Sequence, residues 1–226
     1  MHYVWDFAIL GKYSHLFWLG LGWTMAYTIG TILLGTMLGL LVGILRLKRL
    51  PVIDWLLLAY IELFRCTPLL VQIIWFYYAF PVVIGVNIPA HVAAVTVLSL
   101  YGGAFYAEIV RGSIESIHVG QWDAARALGL RPWRVLRLVI LPQALKMVIP
   151  GIVNTFIALF KDTSLVIIIG LFDLLNSVKQ ATADPAWLGM ATEGYVFAAL
   201  VFWIFCFGMS RYSMHLERKL DTGHKR

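Results

Sequence analysis

The chain has 226 residues, of which 61% are hydrophobic and only 13% charged, and its net charge is +6. A soluble domain of this size does not carry that balance. Positive residues scattered among long apolar runs are explained by membrane topology rather than by nucleic acid. The composition predicts a single-domain, all-α integral membrane protein crossing the bilayer about five times, each isolated span needing about 20 apolar residues.

Residues 1–14 form a short aromatic tail with one lysine. They lack the basic start and small-residue cleavage site of a removable signal peptide, so the first span is expected to serve as an uncleaved insertion signal. Residues 16–45 then run without a charge. Within them Gly35, Gly39 and Gly43 lie four apart, a face that lets another helix approach closely. Packing within the chain is the simpler reading of that face; a subunit interface is the alternative. Arg46, Lys48 and Arg49 follow, then Pro51. This basic cluster is expected in the cytoplasm, with the N-terminus outside. Cys66 and Cys206 lie in or beside apolar runs and read as small membrane residues.

Residues 52–81 are apolar but for Asp54, Glu62 and Arg65, and Pro68 interrupts the helical ladder. Glu62 and Arg65, three apart, are expected to pair on one helix face. Residues 81–89 read as an uncharged outer turn, and residues 90–107 cross back. Glu108 ends that run and needs a partner or a water-filled cavity at membrane depth. Arg111 is one such partner; a translocation path in which Glu108 meets a cationic substrate group is the other reading.

Residues 120–142, GQWDAARALGLRPWRVLRLVILP, are the polar, Arg-rich interruption of the chain. Asp123 to Leu128 reads as a short helix with an acid in its first turn. Gly129 suits a left-handed helix end, and Pro132 discourages continuation. Residues 138–175 are too long for one simple span and carry Pro142, Lys146 and Pro150. In their middle Lys161, Asp162, Thr163 and Ser164 precede an apolar run, which is N-cap chemistry. This predicts a discontinuous helix whose free N–H groups would meet a carboxylate while Asp162 holds an ammonium; a plain cap at the outer interface is the alternative. Residues 172–188 are expected outside as a surface helix with a turn at Asp184–Pro185, and residues 194–210 form the last span. Of the eighteen Lys and Arg, three follow the first span, five lie from Arg111 to Arg137 and five in the tail (Arg211, Arg218, Lys219, Lys225, Arg226). This asymmetry places the C-terminus inside.

Asp123, Ala124, Ala125 and Gly129, with Val139 to Pro142 nine residues beyond the glycine, resemble the cytoplasmic loop signature of ABC importer permeases, with Asp for Glu and Val for Ile. Gln121–Trp122 and Leu141-Pro142-Gln143-Ala144 resemble the polar amino-acid subfamily (the histidine, glutamine and glutamate type). So do Arg65–Gln72, where Cys66 replaces a glycine, Tyr106–Gly112, and Lys161–Leu165. The resemblance covers residues 16–213. It implies a five-helix permease core paired with a second permease subunit, same or homologous. Two cytoplasmic ATPase subunits would bind ATP and magnesium, and an extracytoplasmic binding protein would deliver a polar L-amino acid. Gln121, Asp123, Ala124, Ala125, Gly129, Leu141 and Pro142 would couple to the ATPases. Arg65, Glu108, Asp162, Thr163 and Ser164 are candidates for the substrate path. The chain has no phosphate loop, metal-ligand cluster or nucleophile elbow of its own, so no cofactor and no catalytic role are expected. A stand-alone secondary transporter using Glu108 or Asp162 as an ion site is the alternative; an intramembrane enzyme is disfavoured.

Overall fold

The computed structural model describes residues 5–47, 50–187 and 191–221. Lys48, Arg49, Lys225 and Arg226, four of the cations used for topology, lie outside the described residues, as do residues 1–4 of the aromatic tail. Among the described residues the structure is helical, without strands. We number the helices α1 (Ile9–Lys12), α2 (Ser14–Arg46), α3 (Pro51–Cys66), α4 (Leu69–Ile84), α5 (Ala90–Glu115), α6 (Val119–Ala127), α7 (Pro132–Ile169), α8 (Leu174–Thr182) and α9 (Ala191–Asp221). Helices α2, α5, α7 and α9 are long and apolar enough to cross a membrane, and α3 and α4 together pass the same test as a pair bent by 108°, the form of a broken span or a re-entrant loop. The bend falls at Thr67-Pro68, where Thr67 is extended at φ −111°, ψ 142°, the conformation that a following proline imposes.

The two later prolines are absorbed differently. Short π-helical stretches, Trp75–Ala79 and Leu136–Ile140, stand immediately upstream of Pro81 and Pro142. A proline cannot donate to, and clashes with, the carbonyl four residues back; a π-turn there widens the ladder and lets the helix continue. The expected turn at 81–89 is accordingly shorter, because α4 runs through Pro81 to Ile84 before Gly85 ends it at φ 71°.

The chain divides into two compact units. One comprises residues 34–67, 99–156 and 209–226. Here the glycine face of α2 meets α5. A Cβ on Gly39 would stand 2.4 Å from the Tyr106 Cβ, and one on Gly43 would stand 3.0 Å from the Ala107 carbonyl oxygen. The spacing therefore serves packing within the chain. Beyond it, Val110 and Ile114 of α5, Ala125 of α6, and Val135, Ile140 and Val148 of α7 form one buried cluster. Burying such side chains stabilises by about 1.5–3 kcal/mol each in water-facing parts.

The other unit comprises residues 1–33, 68–98 and 157–208. Phe17 of α2, Leu174, Val178 and Ala181 of α8, Trp187 and Ala198 of α9 are buried together. The segment expected as a surface helix is thus half sunk: α8 offers an apolar stripe at i, i+4 and i+7 that its polar average conceals. Its turn at Asp184–Pro185 is present, with Trp187 N–H donating to the Asp184 carbonyl at 2.8 Å. Asp173, fully buried, caps α8 by accepting from Asn176 N–H at 2.7 Å. Leu174 N–H donates to Thr24 Oγ1 of α2 at 3.0 Å, while a Cβ on Gly20 would lie 2.7 Å from the Asp173 carbonyl oxygen. Burial pushes the Asp173 carboxyl up to about 6.

Candidate functional site

The segment from α6 to the start of α7 is built as an anchored helix with an outward face. It starts earlier than the sequence suggests. His118 is the N-cap, its Nδ1 accepting from Gly120 N–H at 3.1 Å, so Asp123 lies beyond the first turn, and its nearest cation is the exposed Arg126 at 3.9 Å. Such an exposed pair contributes little to stability. The end is as expected. Gly129 is left-handed at φ 76°, its N–H donates to the Arg126 carbonyl, and Leu130 N–H reaches back to the Ala125 carbonyl, the pattern of a glycine-terminated helix. Pro132 does more than halt the chain; it is the first residue of α7, where its missing N–H costs nothing.

The faces of α6 differ sharply. Ala125 is 3% exposed and belongs to the buried cluster of its unit. Asp123, Ala124 and Ala127 are exposed, and Leu128 is 80% exposed. Gln143 Nε2 of α7 donates to Gln121 Oε1 at 3.3 Å, tying the start of α6 to the turn after Pro142. The arrangement is a short helix, fixed from beneath by Ala125, whose exposed face carries Asp123, Ala124, Arg126, Ala127 and Leu128.

In the same unit, Glu108 is the hub of a charge cluster. Arg46 Nη1 donates to Glu108 Oε1 at 2.5 Å, and Arg111 Nη2 donates to Oε2 at 2.7 Å. Arg65 Nη1 stands 3.8 Å from Oε2, with its guanidinium 5.4 Å over the Phe105 ring. Arg46 Nε also donates to Asp54 Oδ1 at 2.9 Å. Both oxygens of Glu108 are thus occupied by arginines. The predicted Glu62–Arg65 pair is absent among the described residues; Arg65 turns to Glu108, and Glu62 instead accepts from the Cys66 thiol at 3.2 Å. Sequence reading misses Arg46 and Asp54, whose only signal is a charge at each side of the first loop.

Asp162, Thr163 and Ser164 belong to the other unit, and here the expected polar break is overturned. Asp162 keeps helical dihedrals, φ −68° and ψ −21°, and caps nothing with its side chain. The backbone passes directly into a 3-10 stretch, Thr163–Ile169. Thr163 and Ser164 hydroxyls donate back to the carbonyls of Phe160 and Lys161 at 2.7 and 2.8 Å. No free helix N-terminus stands there for a carboxylate. Among the described residues, no group of three His, Cys, Asp or Glu side chains is arranged to hold a metal ion.

Helices long and apolar enough to cross a membrane, interrupted by a short polar helix with an exposed face, define the class: an α-helical integral membrane protein. Residues 35–222 match the family described as binding-protein-dependent transport system inner membrane component, and the chain belongs to that family. It is 52% identical over 187 residues to the inner membrane amino-acid ABC transporter permease protein YhdY of Escherichia coli (strain K12), covering 82% of this chain and 51% of that protein. It is 41% identical over 212 residues to the glutamate/glutamine/aspartate/asparagine transport system permease protein BztC of Rhodobacter capsulatus, covering 90% and 48%. The chain therefore spans about half the length of these two relatives. A solved structure, the crystal structure of an amino acid ABC transporter with histidines, superposes with a TM-score of 0.89 at 32% identity, covering 96% of this chain and 99% of that one. A stand-alone secondary transporter finds no support in these likenesses.

Proposed function

We propose that the chain is a membrane-spanning permease subunit of an ATP-driven importer for polar L-amino acids. It would pair with a second permease subunit and with two ATPase subunits that carry ATP and magnesium, and receive substrate from an extracytoplasmic binding protein. The observation that carries this reading is the outward face of α6, where Asp123, Ala124, Ala127 and Leu128 are exposed above the buried Ala125. The charge asymmetry of the loops favours an inner-membrane orientation with the N-terminus outside and α6 in the cytoplasm. Closure of the ATPase pair on ATP would then pull on α6 and shift the permease between inward- and outward-open populations, provided the two states bind the closed pair unequally. No covalent step on the substrate is involved.

Within the path, Asp162 is the acid that the geometry leaves available for a substrate ammonium, because it caps no helix and joins no ion pair among the described residues. Ser164 lies beside it. Thr163, fully buried, and Arg65, turned to Glu108, act as packing and charge partners.

The test is purification from the native membrane beside Gly129→Arg. An arginine at φ 76° strains the helix end and crowds the docking face without touching a span. The expected result is an ATPase subunit that co-purifies in stoichiometric amount with the natural chain and is lost from the variant. A natural chain that purifies alone and moves amino acids without ATP would overturn the proposal.

A further inference from the structure

Beside α6 lies a second polar feature, which shares only Gln121 with the residues assigned to coupling. A cavity of about 640 Å³ opens between the start of α6, residues 143–150 of α7 and the end of α9, lined by Ser116, His118, Gln121, Gln143, Lys146 and Glu217 among others. Its size falls within the range of small-molecule sites. Its lining holds one cation and one anion, Lys146 and Glu217, and neither takes part in an ion pair among the described residues.

The neutral groups are half committed. Gln143 spends its Nε2 on the Val139 carbonyl and Gln121 Oε1, which leaves the Gln143 Oε1 as an acceptor and the Gln121 Nε2 as a donor. His118 accepts the Gly120 N–H at Nδ1, so in the neutral ring the proton sits on Nε2 and that nitrogen is a donor.

From this lining we infer a ligand site for a zwitterionic α-amino acid, with Lys146 facing the carboxylate and Glu217 the ammonium. Glu217 disfavours a nucleotide or phosphate, and Lys146 an amine without a carboxylate; a ligand carrying both charges complements both walls. A polar side chain on the ligand would meet the two glutamines. The choice of an amino acid, and of the cytoplasm as its source, rests on the importer reading above. Because the walls come from α6, α7 and α9, an occupant ties the start of the docking helix to two spans and resists its displacement.

The experiment is a calorimetric titration of the full chain alone, in phosphatidylcholine nanodiscs, with L-glutamine as probe and N-acetyl-L-glutamine as the analogue lacking the ammonium. Lys146 and Glu217 are exposed, so Lys146→Gln and Glu217→Gln leave the fold intact. Each is expected to weaken L-glutamine binding about tenfold or more, the scale of one lost charge contact. N-acetylation should weaken binding to the natural chain by a similar factor and have little further effect in Glu217→Gln. Absence of L-glutamine binding at millimolar concentration would overturn the site. So would equal affinities across the pocket variants, or binding abolished by Asp162→Asn but kept in both pocket variants, which would assign the ligand to the path. The titration uses no ATPase, so failure of co-purification would sink the importer reading and leave this result standing by itself.

Discussion

Arg46 donates to Glu108 across sixty-two positions of sequence, Nη1 to Oε1 at 2.5 Å, with the two side chains 10% and 19% exposed. The same guanidinium holds Asp54 through Nε, so one arginine joins the end of α2 to α3 and α5. A pair this far from water does not stabilise by its Coulomb attraction alone, since desolvation offsets it; removal of one partner is what costs. Arg46→Met should therefore lower the thermal midpoint clearly, by about 2–4 kcal/mol of stability. Glu108→Gln, which removes the charge that three arginines share and leaves Arg46 and Arg111 only Asp54 and Glu115 among the described residues, should reduce the amount of folded protein. Uptake per folded molecule, compared between acidic and basic amino acids, should keep its ratio in Glu108→Gln. A changed ratio would mean that this acid faces substrate after all.

The glycine face of α2 makes a sharper stability prediction. At Gly39 a methyl group would overlap the Tyr106 Cβ and crowd the Gly103 carbonyl oxygen at 2.9 Å, atoms that move only with the α5 backbone. At Gly22, on the same helix, a methyl group meets nothing within 4 Å. Gly39→Ala should destabilise by about 1–3 kcal/mol, the usual penalty of overpacking, whereas Gly22→Ala should be neutral or slightly favourable through helix propensity. Melting curves of the two variants in one detergent give the comparison directly.

The parts of this molecule legible in its sequence are those fixed by backbone chemistry at short range. Gly129 ends α6 because a left-handed residue is needed there, Pro68 sets the bend between α3 and α4, and the Gly35–Gly39–Gly43 spacing packs on α5 as a small-residue face does. One misreading arises because Ser, Thr and Asp serve two local bonding modes. Asp162-Thr163-Ser164 has the pattern of a cap, yet the Thr and Ser hydroxyls bond back to carbonyls three residues earlier, and the α-helix passes directly into a 3-10 stretch without a new N-terminus. The true cap of α6 is His118, a residue with weak capping preference that no pattern marks. Asp173, the true acid cap of α8, sits in a run whose polar character hides it. Arg46 is legible as topology; its role as a clasp depends on contacts with residues 8 and 62 positions away, which periodicity does not encode.

Asp173 gives a pH dependence. Its Oδ1 caps α8, but Oδ2 is buried without a partner, and burial pushes the carboxyl up to about 6. A group with a raised native pKa binds its proton more tightly folded than unfolded. Its contribution to stability is greatest below the unfolded value near 4, declines as pH rises through 4 to 6, and is flat above. The whole decline amounts to about 3 kcal/mol, since each pH unit between the unfolded and folded values is worth about 1.4 kcal/mol. The thermal midpoint should fall over that window, and Asp173→Asn, which keeps a cap acceptor and removes the titration, should reduce the fall. A variant with the same slope as the natural chain would assign the pH dependence to other carboxylates.

The two adjacent alanines of α6 separate anchoring from docking. Ala125 is buried among Val110, Ile114, Val135 and Ile140, so Ala125→Leu forces extra volume into a packed cluster and should destabilise by about 1–3 kcal/mol. Ala124, next along the helix, is exposed, so Ala124→Leu should leave the thermal midpoint within about 0.5 kcal/mol, the normal range for surface changes. Its effect should fall on coupling, because a leucine in place of a small side chain keeps any partner groove from closing on the helix. ATP hydrolysis stimulated by substrate should drop in Ala124→Leu at unchanged folded yield. In Ala125→Leu, activity and yield should fall together. If Ala124→Leu couples normally, the small residue at position 124 has no part in coupling, and the proposed docking role of this face of α6 fails there.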